Sequence, residues 1–254
     1  MRHRDDRLLG IGLIAVLLVL WELAVQTGAL ASPNIPAVSR IAATWFGAVA
    51  NGDIADAVGA TLRKFAIGYV GAVAIAVPLG VVMGLNRIAY GLLEPITELV
   101  RPVPGSAYIP IAVLLLGIGD EMKIAVTIVA SIFPILLNTF EGVRGCDITL
   151  IDTGRTFRCS RRQLVQKIIL PAAMPSILTG LRISLSVALI LVTVSEMLAG
   201  NEGVGYYIID AQRAFRPAAM FAGIFTLAIV GYLLNFAFVR LSNYALRWRA
   251  AGAD

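Results

Sequence analysis

The chain has 254 residues, of which 58% are hydrophobic and only 15% are charged, and its mean hydropathy is +0.83. Soluble domains carry about 25% charged residues, so this composition excludes a soluble protein and predicts one that is embedded in a membrane. A net charge of +5 would indicate nucleic acid in a soluble protein, but in membrane proteins it reflects topology. The two cysteines and the single histidine lack ligand-like spacing, so we predict neither a metal site nor a disulfide framework.

Apolar runs long enough to cross a membrane occur six times along the chain. A hydrocarbon core of about 30 Å requires roughly 20 apolar residues per helix. The runs lie at 8–26, 65–85, 94–117, 123–140, 176–199 and 218–239. The first is followed by "ALAS", which is similar to a signal-peptide cleavage site, but it is longer than a usual signal core and is predicted to remain as a helix. The sequence therefore predicts an all-α membrane protein with six transmembrane helices.

The distribution of basic residues predicts how these helices are oriented. With six spans and the N-terminus in the cytoplasm, more than twice as many Lys and Arg residues fall on the cytoplasmic side as on the other side. This excess places both termini in the cytoplasm. Residues 27–60 and 200–217 are then extracytoplasmic, and 141–175 form the longest cytoplasmic loop.

Two of the runs have features that predict how the helices pack. The second run carries small residues at every fourth position, which form a stripe along a helix and allow another helix to approach closely. The stripe consists of Gly68, Ala72, Ala76, Gly80 and Gly84. The third run contains several prolines, each of which removes a backbone donor. A broken helix near a pathway is one interpretation of that run, and plain kinks are the other.

The basic loop between the fourth and fifth runs contains two capping signals. Thr149 and Asp152 have the spacing of an N-cap with an acidic N3 residue, and Ser160 and Gln163 have that of a capping box. Two short amphipathic helices are predicted, with a joint near Arg158, and the second is predicted to end at Pro171. Neither is long enough to span a bilayer. The residues alone leave open whether this hairpin lies on lipid headgroups or docks on a cytosolic partner.

The stretch "LIDTGRTFRCSRRQLVQKIILPAAMPSILTGLRISL" resembles the EAA loop of bacterial ABC-importer permeases, in particular the nitrate, sulfonate, taurine and bicarbonate group. The resemblance extends to "LEPITELVRPVPGSAYIPIAVLLLGIGDEMKI", "FPILLNTFEGV" and "SEMLAGNEGVGYYIIDAQ", so that recognisable segments cover 93–212. It implies the type I ABC-importer permease architecture. In that architecture a cytoplasmic coupling helix, here in the loop 144–171, seats in a groove of the ATPase.

The coupling residues are implied by the resemblance position by position. Asp152, Thr153 and Gly154 stand where the family has Glu-Ala-Ala, and Arg158 replaces a glycine. If that glycine has left-handed backbone geometry, arginine there costs about 1–2 kcal/mol. The full implied set is Asp152, Thr153, Gly154, Arg155, Phe157, Arg158, Ser160, Leu164, Ile168, Leu170 and Pro171.

The resemblance also implies the domain organisation and the partners. A single permease domain would cover 1–254, with the first helix and an extracytoplasmic segment in 1–60, a five-helix core in 61–240 and a cytoplasmic tail in 241–254. It would lie in the bacterial cytoplasmic (inner) membrane as a multi-pass homodimer. Its partners would be two ATP-binding subunits and an extracytoplasmic substrate-binding protein.

The chain is not predicted to be an enzyme. It contains no Gly-Lys pair, so the phosphate-binding loop G-x-x-x-x-G-K-S/T is absent, and ATP and magnesium are expected on the partner ATPase rather than on this chain. An intramembrane enzyme would need a nucleophile, an acid and a base that converge within the spans, which offer no such set. A passive channel would not need the loop that resembles a coupling helix.

Candidate pathway residues lie in the proline-rich third run and near the end of the fifth. They are Ser106, Tyr108, Thr193, Ser195 and Glu196. A carboxylate within a span indicates a functional site, but a structural ion pair, for instance with Lys123, is the alternative for Glu196. The resemblance favours a small anionic solute such as a sulfonate, taurine or nitrate, with an aromatic acid or a vitamin-precursor pyrimidine as the alternative.

Overall fold

The computed structural model describes residues 2–30 and 32–247, and every regular element within them is helical. The α-helices are α1 Arg2–Gln26, α2 Val38–Ala50, α3 Asp53–Leu85, α4 Arg87–Val100, α5 Tyr108–Leu116, α6 Asp120–Arg144, α7 Ile148–Thr156, α8 Arg161–Leu164, α9 Leu170–Ala199, α10 Val204–Arg213 and α11 Pro217–Ala245. A 3-10 turn, Gly105–Ala107, precedes α5, and a π-helical segment, Val165–Ile169, joins α8 to α9. The predicted all-helical fold is confirmed for this part of the chain.

Four helical stretches of the described chain are long and apolar enough to cross a membrane. They are α3, α6, the continuous helix Arg161–Ala199 and α11. The helices α4 and α5 are bent by 84° relative to each other and count as a fifth span if they are taken together. The third predicted run is therefore broken rather than simply kinked. The described apolar part of α1, Gly12–Gln26, is shorter than these helices. The first predicted span, 8–26, therefore stays a prediction.

The first segment predicted to be extracytoplasmic, 27–60, is largely helical in its described part. It contains α2 and the first turns of α3, which begins at Asp53 rather than near residue 65. No side chain of α2 caps its own N-terminus, but Glu22 of α1 accepts hydrogen bonds from the amide and hydroxyl of Ser39 at 3.1 and 2.7 Å. Trp45 of α2 donates to the Thr226 hydroxyl of α11 at 3.0 Å. Helix α2 is thereby hydrogen-bonded to both α1 and α11.

The centre of the bundle consists of α3, α6 and α9. The small-residue stripe of α3 lies against α6 in constant register: a Cβ added at Gly80 would stand 2.7 Å from Thr139 Cβ, and one at Gly84 would stand 2.5 Å from Val143 Cγ1. Ala72 of the same stripe is fully buried. Because the paired residue numbers rise together, α3 and α6 run parallel, and only small residues permit so close an approach.

The third central helix, α9, packs against α6 in the opposite direction. A Cβ added at Gly142 of α6 would stand 2.7 Å from Ser176 Cβ, and one at Gly180 of α9 would stand 2.7 Å from Asn138 Cβ. The order of these contacts is reversed along the two chains, so the helices are antiparallel. One end of the bundle is therefore formed by the starts of α3 and α6 and the end of α9, and the opposite end carries the loop 144–171.

Candidate functional site: a loop hairpin and a cavity at a helix break

The loop hairpin, residues 147–171, begins with a cap that differs from the predicted one. The carboxylate of Asp147 accepts a hydrogen bond from the Thr149 amide at 2.8 Å, and this bond holds the pKa of Asp147 below its usual value. Thr149 lies inside α7, so the predicted cap by Thr149 and Asp152 is wrong. Asp152 instead pairs with Arg155 at 2.9 Å on the exposed surface of α7.

A left-handed residue closes the turn between α7 and α8. Arg158 has a φ of 54°. The Cys159 amide donates to the Gly154 carbonyl at 3.0 Å, and the Arg158 amide donates to the Arg155 carbonyl at 2.9 Å. These two bonds form a Schellman motif, whose left-handed position usually holds glycine. The bend expected where Arg158 replaces the family's glycine is thus present, and arginine adopts it.

The second arm of the hairpin is continuous with a membrane-crossing helix. Ser160 and Gln163 form the predicted capping box at the start of α8. The helix does not end at Pro171, as the sequence predicted, but runs from Arg161 to Ala199 without a break. Pro171 lies just after the π-helical segment Val165–Ile169, where the regular i→i−4 hydrogen bonds that a proline interrupts are already replaced by π-type ones. The hairpin is therefore rigidly joined to the bundle core.

The two faces of α7 differ in what they contact. Gly154 is buried, and a Cβ there would clash with Ile168 and stand 2.6 Å from Leu164 Cδ2. Gly154 therefore packs against Leu164 and Ile168 of the other arm, and the coupling role that the resemblance implies for these three residues stays a prediction. The exposed apolar side chains of this helix and its end are Ile148, Leu150 and Phe157, with exposed fractions of 62, 49 and 78%.

Charged side chains concentrate at the opposite end of the bundle. This charge cluster consists of Arg63, Lys64, Asp120, Lys123, Glu196 and Glu202. Lys64 and Glu196 are fully buried, and their Nζ and Oε1 atoms are 3.0 Å apart. Glu196 also accepts hydrogen bonds from the Thr61 hydroxyl at 2.9 Å and from the Gly205 amide at 3.0 Å. Glu196 of α9 is thus held by two other elements, α3 and α10.

The candidate pathway residues of α9 lie in packed surroundings. Glu196 forms a buried ion pair, as one interpretation of the sequence expected, but with Lys64 rather than Lys123, which lies 3.5 Å from Asp120. Thr193 and Ser195 are buried, and their hydroxyls donate to backbone carbonyls of their own helix at 2.8 and 2.7 Å. All three side chains are buried and hydrogen-bonded, and their role in a pathway stays a prediction.

Glycines allow the segment after α9 to cross the Glu196 carboxylate. Gly203 has a φ of 102°, and a Cβ there would clash with that carboxylate. A Cβ at Gly205 would stand 2.8 Å from Glu196 Cβ. The sequence reasoning missed Lys64 and Thr61 as partners of Glu196. The one signal for such a site was the run "GNEGVG", because closely spaced glycines indicate a close approach of the backbone.

A cavity of about 420 Å³ lies at the break between α4 and α5. Its polar lining consists of Arg101, Tyr108, Asn138 and Glu141, and α6 and α9 supply apolar walls. Among the candidate pathway residues, Tyr108 lines this cavity, whereas Ser106 is exposed in the adjoining 3-10 turn. Irregular backbone at membrane depth is tolerated where it lines a cavity, which fits a helix broken at this point.

Comparison with known proteins identifies the class that this fold defines. A solved chain from "Inward facing conformations of the MetNI methionine ABC transporter" superposes with a TM-score of 0.65 at 23% identity, over 76% of this chain and 96% of that chain. The two chains therefore share a fold. At this identity the likeness concerns the fold alone.

Two curated relatives match almost the whole chain. The chain is 31% identical over 249 residues to the putative aliphatic sulfonates transport permease protein SsuC of Bacillus subtilis (strain 168), with 98% of this chain and 90% of that protein covered. It is 32% identical over 246 residues to the taurine transport system permease protein TauC of Escherichia coli (strain K12), with 94 and 89% covered. Residues 76–248 match the family described as binding-protein-dependent transport system inner membrane component, and the chain belongs to that family.

Proposed function

We propose that this chain is the transmembrane subunit of an ATP-binding-cassette importer for a small anionic solute such as a sulfonate, taurine or nitrate. The relatives SsuC and TauC are named for aliphatic sulfonates and taurine, which supports this solute class. The same machinery importing an aromatic acid or a vitamin-precursor pyrimidine is the alternative. Both termini would lie in the cytoplasm of a bacterium, with the protein in its inner membrane.

The observation that carries the proposal is the exposed apolar surface of the loop hairpin. Ile148, Leu150 and Phe157 face solvent on a loop that is otherwise rich in arginine. Each of these side chains would contribute about 25 cal/mol for every square ångström that a partner removes from water. We therefore propose that α7 is the coupling helix that docks on the partner ATPase.

The continuous helix from α8 to α9 explains how docking would act on the membrane part. Because the second arm of the hairpin and α9 are one helix from Arg161 to Ala199, and α7 packs on that arm through Gly154, a displacement of α7 by the ATPase would be transmitted to the core. In this proposal ATP and magnesium bind to the two ATPase subunits. The permease contributes no nucleotide site, and a substrate-binding protein delivers the solute on the other side.

The proposed second copy of the chain would cover apolar surface of α5, the helix that begins at the cavity. Leu114, Leu115 and Ile118, at the end of α5 and just after it, are exposed by 84, 75 and 73%. Such side chains require lipid or another subunit around them. A homodimer would use this surface to enclose a pathway between the two cavities.

A pull-down of the ATPase subunit tests the coupling role. We expect Leu150→Glu and Phe157→Glu to lower recovery of the ATPase with the tagged permease by about tenfold or more, equivalent to about 1.4 kcal/mol, at equal membrane levels. Asn243→Glu is the control, because it adds the same charge at an exposed position of α11 outside the hairpin. Equal recovery with all variants would refute docking through α7 and favour a hairpin that rests on lipid headgroups.

A further inference from the structure

We propose that Arg101 is the residue that selects anionic solutes in the pathway. Its guanidinium, with the Tyr108 hydroxyl and the Asn138 amide, forms a contact site for the oxyanion group of the solute inside the cavity at the helix break. This inference rests on the proposed transport function and names the side chains that would recognise the solute.

The position of Arg101 in the bundle is the first argument. The α6 residues that line the cavity begin at Ala130, close to the middle of α6. Gly105, in the same break as Arg101, packs against Ala130 and Leu191, where an added Cβ would stand 3.2 and 3.3 Å from their side chains. Arg101 precedes Gly105 by four residues and lines the same cavity, which extends along α6 to Glu141 near the end of that helix. An arginine within a predicted span indicates a functional site when it faces a cavity.

Most N–H donors of the Arg101 guanidinium have no partner among the described residues. Among the described residues it pairs with Glu98, at 3.7 Å, and both side chains are more than half exposed. Exposed pairs of this kind contribute about 0–1 kcal/mol. A guanidinium carries five N–H donors and binds the oxygens of an oxyanion in a bidentate manner. Arg101 is therefore equipped to bind a sulfonate, carboxylate or nitrate group.

The other polar groups of the cavity complete the site. Asn138 uses one amide hydrogen in a bond to the Pro134 carbonyl at 2.8 Å, which leaves its second amide hydrogen free to donate to an anion. The Tyr108 hydroxyl lies 3.4 Å from the Val100 carbonyl, a long bond that a solute oxygen can replace. Glu141 lies about one turn further along α6, towards its end. A solute with an ammonium group as well as an oxyanion would place that group near Glu141.

Transport by the complete complex in proteoliposomes tests this inference. Uptake of methanesulfonate, taurine and nitrate is measured for wild type, Arg101→Gln, Arg101→Lys and the control Glu98→Gln. We expect wild type to take up at least one of the three anions. Arg101→Gln should lower the initial uptake rate by about tenfold or more, Arg101→Lys should retain an intermediate rate, and Glu98→Gln should stay within about twofold of wild type.

The outcomes separate this inference from the proposed function. Wild-type uptake of none of the three anions, or undiminished uptake by Arg101→Gln, would overturn the selective role of Arg101. Recovery of the ATPase, and its stimulation by the binding protein, should be unchanged in every variant. Failure of wild type in those two measurements would refute the importer assignment instead.

Chemical restoration of the charge gives a readout that a structural role would not produce. Arg101→Cys is made in a background in which Cys146 and Cys159 are replaced by serine. A thiol reagent that attaches a trimethylammonium group should restore uptake, and one that attaches a sulfonate should not, because only the first replaces the lost positive charge. An equal response to both reagents would contradict the proposal.

Discussion

The two ends of the bundle differ in which side chains are buried and which are exposed. In the charge cluster, Lys64 and Glu196 are fully buried and hydrogen-bonded. In the loop hairpin, Asp152 and Arg155 are exposed, and the large apolar side chain of Phe157 faces solvent as well. The charge cluster is complete within one chain, whereas the hairpin exposes surface that another molecule must cover.

This difference predicts which property a substitution changes at each end. Burying two charges costs several kcal/mol per ion, and the cost is offset only when both partners are present with good geometry. A change in the charge cluster therefore acts on folding. The exposed apolar side chains of α7 contribute little to folding and gain free energy only when a partner covers them. A change there acts on assembly.

The largest effect should follow from removing one partner of the buried ion pair. Lys64→Met leaves the Glu196 carboxylate buried beside Thr61 and Gly205, and we expect a loss of about 3–5 kcal/mol in the free energy of unfolding. Denaturant titration of the purified protein in detergent measures it. Arg63→Gln is the control, because the Arg63 side chain is 61% exposed and should contribute less than about 1 kcal/mol.

A double substitution shows whether that loss comes from the pair. Lys64→Met combined with Glu196→Met removes both charges, and the combined loss should be smaller than the sum of the two single losses. Additive losses would mean that the two charges do not interact, and the comparison between the two ends would fail.

The next largest effect should come from the glycine that crosses the buried carboxylate. Gly203→Ala introduces a Cβ into the left-handed backbone and into contact with Glu196, and we expect it to cost roughly 2–4 kcal/mol. Gly52→Ala is a comparison at another glycine of positive φ, 90°, with a ψ of −13° rather than the 170° of Gly203 and no atom within 4 Å of the added Cβ. It should cost only about 1–2 kcal/mol. Equal losses would show that strain alone, and not the carboxylate, requires glycine at 203.

Features that depend on one helix at a time could be predicted from the sequence. The apolar runs, the stripe of Gly80 and its neighbours and the Ser160 capping box are of this kind, because periodicity and local spacing determine them. The partner of Glu196 is different. Lys64 and Lys123 are equivalent candidates until α3, α6 and α9 are packed, and a single sequence does not specify that packing.

Two further features of the site depend on tertiary geometry in the same way. Pro171 usually indicates the end of a helix, and only its position after the π-helical segment makes α8 and α9 continuous. Arg101 falls within the third predicted run, 94–117, and the sequence gives no bend angle for that run. The 84° break between α4 and α5 brings Arg101 to the cavity. The polar lining of the cavity therefore required the structure.

Within the hairpin, folding and assembly should be separable by two substitutions. Gly154→Leu places a side chain against Leu164 and Ile168, and overpacking of this kind costs about 1–3 kcal/mol. We expect faster tryptic cleavage at the arginines of the hairpin and reduced recovery of the ATPase. Phe157→Ala should reduce recovery of the ATPase but leave cleavage unchanged, because the side chain is exposed. Faster cleavage of both variants would show that Phe157 also stabilises the hairpin.

The smallest effect concerns a type of turn that occurs twice, once in the hairpin and once after α10. Phe215, after α10, has a φ of 53° and, like Arg158, occupies the left-handed position of a Schellman motif. The Phe215 amide donates to the Gln212 carbonyl at 3.1 Å, and the Arg216 amide donates to the Ala211 carbonyl at 2.8 Å. Both side chains are exposed, so neither offsets the backbone strain by packing. Replacing either by glycine removes about 1–2 kcal/mol of strain.

The gain should be partly cancelled because glycine also increases the freedom of the unfolded chain. We therefore expect Arg158→Gly and Phe215→Gly each to raise the free energy of unfolding by roughly 0.5–1 kcal/mol, measured by denaturant titration. Arg158→Ala keeps the Cβ and should give no gain. Recovery of the ATPase should be unchanged with Arg158→Gly, because glycine only relaxes the joint between α7 and α8. Lower recovery would mean that the Arg158 guanidinium itself contacts the ATPase. The docking surface of the hairpin would then include this joint as well as the exposed apolar side chains of α7.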